Sequence, residues 1–197
     1  MFESNRKNLV NNMKENSLLI MFAGDAPYRS ADQKYKFTPN RNFYYLTGIN
    51  DTKVILTILK TEKEVVETIF VQREDELMAK WIGRAISKNE ASEVSEIKTI
   101  KYLDEFDSIV SSYINRLGIN KIYLDLERQS MDIPSTQSQD MANILRIKYP
   151  YLKIKNIYPK IIKLRTVKND YELEKIKKAI DITKSGIEAM AKNIKPN

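Results

Sequence analysis

Apolar and polar positions divide the chain into alternating strand-like and helix-like runs. Within residues 6–15, Leu9, Val10 and Met13 recur at helical spacing and predict a short amphipathic helix. Residues 17–23 form an unbroken run of mainly apolar residues ended by Gly24, the pattern of a buried strand. A polar, turn-rich stretch over 25–42 follows. The aromatic run 43–47, closed by Gly48, then reads as a second short strand. Two β-rich runs, 53–59 and 64–71, flank Lys60-Thr61-Glu62-Lys63 and predict an antiparallel hairpin.

The pattern then turns helical. A short helix is expected over 74–81, and Ser87 stands three residues before Glu90 in a capping-box spacing that opens another. Over 104–117, Phe106, Ile109, Val110, Ile114 and Leu117 share one helical face before Gly118 stops the run. Strands at 119–126 and 152–158 bracket a helix at 138–149 that closes before Pro150. Strands interleaved with helices predict an α/β fold. Its sheet, mixed because of the hairpin, should hold about five to six strands flanked by helices.

The last segment differs. Asn169 is a helix cap with Glu172 three residues on, and a helix of about 25 residues is expected after it. Leu173, Ile176, Ile180, Ile187, Met190 and Ile194 form an a/d-type stripe along it, with Thr183 in the same seam. Such a stripe has to bury against something. Either it folds back onto the domain's own sheet, or its cover lies in sequence beyond residue 197.

Composition alters this picture in two places. There is no histidine and no cysteine, which excludes Ser-His and Cys-His nucleophiles and removes the commonest metal ligands. The absence of cysteine, of a leader-like N-terminus and of any bilayer-length apolar run makes a cytoplasmic setting the expectation. Net charge is +7, but from residue 160 onward ten Lys or Arg stand against five Asp or Glu. The positive excess thus belongs to the last segment, and the rest of the chain is nearly balanced.

Candidate chemistry is sparse. The five glycines are scattered, so no phosphate-cradling loop forms. Asp125 and Glu127, two apart on a predicted strand, share a face and could seed a carboxylate metal site, although strand ends often carry solvated acids. Lys34, Tyr35, Lys36, Phe37, Arg41 and Phe43 to Tyr45 interleave bases with aromatics, as a single-strand nucleic-acid platform would. Core aromatics account for much of that run. Trp81, the single tryptophan, is either core or a partner-facing anchor.

The order of several segments resembles a known family. Arg29-Ser-Ala-Asp32, the run from Tyr35 to Gly48, and Lys80-Trp-Ile-Gly-Arg84 look like the amino-terminal domain of Xaa-Pro aminopeptidases. Leu164-Arg-Thr-Val-Lys168, followed by 171–179, resembles the junction with the catalytic domain. Asn169-Asp170 stands where the family usually has Ser-Pro, and the basic residue after Arg84 is missing. The resemblance implies a creatinase-type N-terminal domain over 1–165, with 166–197 as the junction and first helix of a pita-bread catalytic domain. That catalytic domain would hold two divalent metal ions, usually manganese, on ligands none of which can be assigned here. No catalytic or metal residue is therefore expected in this chain. The domain would serve homo-oligomer assembly and active-site access, with Asp32 and Trp81 facing a neighbouring subunit's site mouth. A prolidase- or creatinase-like parent is the nearest alternative, and a stand-alone nucleic-acid-binding module the alternative from another class. With the stripe's sheet absent, the last helix is expected to be loosely held or packed on a second copy of the chain.

Overall fold

The computed structural model describes residues 1–195. Eight strands and eight α-helices are placed among them. Six strands form the main sheet: β1 (Ser17–Phe22), β4 (Ile55–Lys60), β5 (Val65–Val71), β6 (Ile100–Tyr102), β7 (Lys121–Leu124) and β8 (Lys153–Asn156). Their order is β6-β5-β4-β1-β7-β8. β4 runs antiparallel to both of its neighbours, β1 and β5, while β6 joins β5, β7 joins β1 and β8 joins β7 in parallel. The expected mixed sheet is present, with the hairpin of β4 and β5 lying between β1 and the edge strand β6.

Alternation along the strands splits the core in two. Leu19, Met21, Leu56, Ile58, Ile69 and Val71 face one layer of helices. That layer is α1 (Phe2–Asn11), α2 (Arg41–Thr47), α4 (Lys88–Ser95) and α7 (Tyr158–Thr166), which contribute Leu9, Phe43, Ala91 and Ile161. Leu18, Ile20, Ile55, Leu59 and Phe70 face the other layer, α5 (Phe106–Arg116) and α6 (Gln137–Lys148), which bring Val110, Ile114 and Leu145. Both sheet faces are thereby closed.

The structure corrects several expectations. Residues 43–47 lie in α2, a helix and not a strand. Asn40 caps it, accepting from the backbone N–H of Asn42 and Phe43, and Gly48 ends it at φ 71°. Caps outweigh the β preference of three consecutive aromatics, and helical spacing sends Phe43, Leu46 and Thr47 inward while Tyr44 is exposed. The first helix begins at Phe2, earlier than the pattern indicated. Two elements were not anticipated in sequence: the edge strand β6 and the helix α7. The polar stretch also holds a small hairpin, β2 (Tyr28–Ser30) with β3 (Gln33–Lys34).

Arg6 is the largest fully buried polar residue, at 0% exposure. Its Nε donates to Glu67 Oε2 at 2.8 Å and its Nη1 to the Leu46 carbonyl at 2.9 Å. It ties α1 to both α2 and β5. Its Nη2 has no partner in the structure, a cost that the ion pair on β5 offsets.

The last helix, α8 (Asp170–Asn193), opens on the expected capping box, with Asn169 Oδ1 and the Glu172 carboxylate satisfying each other's backbone N–H. It buries no residue. Exposure of its stripe rises from 41% at Leu173 to 76% at Ile194. The stripe does not fold back into the core of this chain.

Candidate functional site

A cleft of about 840 Å³ opens where α2, the segment 36–39, the N-terminus and the first turns of α8 meet. Arg41 and Tyr44 reach it from α2, Lys36 and Phe37 from the preceding segment, and Tyr171 and Lys175 from α8. The N-terminal edge is fixed by Phe2, whose ring lies edge-on to Tyr44 with centroids 6.1 Å apart. Phe2 also fills the space above Gly48, where a Cβ would stand 2.2 Å from its Cε2. Burial pushes the Tyr45 phenol above its ordinary pKa, and the Glu172 carboxylate adds to the shift.

Behind the cleft runs a polar chain that joins three elements. Asp125, 5% exposed just past the end of β7, accepts from Asn42 Nδ2 at 2.8 Å and from Asn40 Nδ2 at 3.4 Å. Asn42 Oδ1 in turn accepts from Arg165 Nη1 at 2.6 Å. The end of α7, from which the chain leaves for α8, is thus held to the start of α2 and to the sheet. Neither Asn42 nor Arg165 was singled out in sequence as part of a network, because nothing local links them to Asp125.

Asp125 and Glu127 do not form the paired site that a shared strand face would give. β7 ends at Leu124, before either residue. Both Asp125 oxygens are taken, one by the two Asn amides and the other by the Glu127 backbone N–H at 3.4 Å. The Glu127 side chain pairs instead with the Tyr158 hydroxyl, which raises the Tyr158 pKa. Among the described residues no group of three or more His, Cys, Asp or Glu side chains is placed to hold a metal ion. The donors present do not fit a two-metal centre.

Asp32 and Trp81 stand on separate projections. Asp32 is exposed in the turn between β2 and β3. Trp81 is 83% exposed on α3 (Glu76–Ile82), with Leu77 one turn earlier also in solvent. Of the aromatic-basic run, the structure brings Lys36, Phe37, Arg41, Tyr44 and Tyr45 to the cleft and sends Phe43 into the core.

Together these features define a three-layer α/β module whose surface chemistry centres on a basic, aromatic cleft beside an uncovered helix. A family model for the aminopeptidase P N-terminal domain matches residues 2–123, and the chain belongs to that family. It is 24% identical over its whole length to an Xaa-Pro aminopeptidase of Haemophilus influenzae, of which it covers 43%. A Bacillus anthracis structure assigned to aminopeptidase P superposes with a TM-score of 0.91 at 44% identity, covering 94% of this chain and 44% of that one. Escherichia coli aminopeptidase P has a TM-score of 0.72 at 21% identity over 88% of this chain and 40% of its own, a likeness of fold alone. The chain spans less than half the length of these relatives. No helix among the described residues is long and apolar enough to cross a membrane.

Proposed function

We propose that this chain works as the non-catalytic amino-terminal part of an Xaa-Pro aminopeptidase, a metallopeptidase that releases the residue preceding a proline. In this reading, 1–165 form the supporting domain and 166–197 the junction and first helix of the catalytic part. The paired metal ions, manganese by preference, and the groups that activate water lie outside these residues. The support domain fixes the subunit assembly and restricts access to the site. Asp32 and Trp81, both exposed on projections, would face the site mouth of a neighbouring subunit. The setting is cytoplasmic.

The observation that carries this reading is α8. It is a 24-residue, well-capped helix whose apolar stripe has no buried residue, in a domain that is otherwise closed on both sheet faces. A helix of this kind is built to be covered. The relatives' greater length is consistent with a cover that follows it.

The test is the coding sequence downstream of Asn197, together with an assay of residues 1–197 on an Xaa-Pro peptide with added manganese. An open frame with metal-ligand residues, and no cleavage by the isolated chain, is the expected result. A stop codon directly after Asn197, or chelator-sensitive cleavage by the isolated chain, would overturn the reading.

A further inference from the structure

The cleft beside α8 carries an unbalanced charge. Lys36, Arg41, Arg165, Lys168 and Lys175 line it, and none of the five is in an ion pair among the described residues. Two of them spend donors only on neutral oxygens, Arg165 on Asn42 Oδ1 and Lys168 on the Thr166 carbonyl. The one carboxylate on the wall, Glu172, is committed to the α8 cap, accepting from the Asn169 N–H at 2.9 Å. Cations gathered in a concavity with apolar walls reinforce one another's potential and draw a negative partner.

The neighbouring surface narrows the choice of partner. Ile176 lines both the cleft and a shallow depression over Ala179 and Thr183, framed by Ile180 and Ile187. The occupant must therefore present carboxylates at one end and apolar side chains along the other. A second copy of the chain fits poorly, because the segment from residue 160 has twice as many basic as acidic residues. A nucleic-acid strand needs free aromatic faces on which to stack. Here Lys175 sits over the Tyr171 ring at 4.9 Å, Arg165 lies 6.0 Å from the Tyr45 centroid, and Phe2 meets Tyr44 edge-on.

We propose that this cleft is a docking site for an acidic, amphipathic polypeptide segment. Its carboxylates pair with Arg41 and Lys168, and its apolar side chains continue onto Phe37, Tyr44 and the exposed stripe of α8. For the source of that segment the inference rests on the function proposed above: the polypeptide following α8 supplies it. For its chemistry it rests on the cleft alone.

The test is fluorescence anisotropy of a labelled peptide of repeating Glu-Glu-Leu, titrated with residues 1–197 at low salt. An oligothymidylate of matching charge is the competitor. Arg41→Glu combined with Lys168→Glu should weaken peptide binding by about tenfold or more. Lys153→Glu with Lys155→Glu on β8 changes the net charge equally and should leave binding nearly unaltered. If the first pair lowers the thermal midpoint, Lys36→Glu with Lys175→Glu replaces it. Absence of peptide binding, equal losses in cleft and β8 variants, or tighter cleft-dependent binding of the oligothymidylate would each overturn the proposal. A stop codon after Asn197 would remove the assigned source and leave the binding result standing.

Discussion

Leu19 and Ile180 are both branched aliphatic residues in regular structure, and their fates are opposite. Leu19 is fully buried in β1, whereas Ile180 stands in solvent on α8. The contrast extends to their whole elements. β1 is held by two neighbouring strands and by helix layers on both sides, so its residues are fixed by the global fold. α8 is held by its capping box and by a local Lys184–Glu188 pair at 3.9 Å. Side-chain pairing of that kind adds only about 0.3–0.5 kcal/mol. The first region is specified by what it already touches, the second by what it awaits. Covering each stripe residue of α8 is worth on the order of 1 kcal/mol, enough in sum to make a partner hold firmly.

That contrast is open to direct attack. The largest effect should come from Arg6→Ala, which leaves Glu67 and the Leu46 carbonyl facing a buried gap. We expect a loss of about 4 kcal/mol in chemical denaturation. A loss under about 1 kcal/mol would mean that α1 is not clamped as the structure shows. Leu19→Ala should cost about 3 kcal/mol, while Ile180→Ala in the isolated chain should stay within about 0.5 kcal/mol. Comparable losses at the two positions would mean that α8 packs in solution, and the contrast would fall.

Gly48→Ala probes the seam between the N-terminus and α2. A left-handed alanine costs about 1–2 kcal/mol, and here the new Cβ would also displace the Phe2 ring. A total near 2 kcal/mol is expected, again by denaturation. The smallest effect is a pH dependence at α4. Hydrogen bonding to Arg84, then to Ser87, lowers the Glu90 pKa from 4.5 to about 2. A carboxylate lowered on folding stabilises the native state above its unfolded pKa and loses that contribution as pH falls through the folded value. Glu90→Gln should therefore flatten the acid limb between about pH 4.5 and 2 in a thermal-midpoint series. An unchanged limb would show that Glu90 contributes nothing to it.

What the sequence disclosed follows the range of the interactions involved. The β4–β5 hairpin and the caps at Ser87 and Asn169 were legible because each is closed within a few residues. The α8 stripe was legible because periodicity alone defines it. β6 was not, since a three-residue strand exists only through pairing with β5. α7 escaped because its single fully buried side chain, Ile161, gives no period. α2 was misread because aromatic β preference is visible locally while the competing cap, Asn40, sat at the end of a stretch read as loop. At the cleft, Lys36, Phe37 and Arg41 were visible as a motif. Their meeting with Arg165 and Lys168 was not, because it depends on the Asn42–Asp125 link across the sheet end.

The margins of the sheet have a bearing on handling this chain at high concentration. An unpaired strand edge is a template on which another chain can extend the sheet. At one margin β8 is only four residues long and carries exposed Lys153 and Lys155. At the other, β6 has three residues, and Tyr102 is flanked by Arg73 and Lys88, 4.0 and 3.7 Å from its ring. Both borders are short and carry charged side chains, so ribbon-like stacking of monomers is discouraged at each end. Stickiness of the isolated chain should therefore come from exposed apolar side chains, the α8 stripe and Trp81 among them, and mild detergent or a covering peptide, rather than higher salt, is the remedy to try.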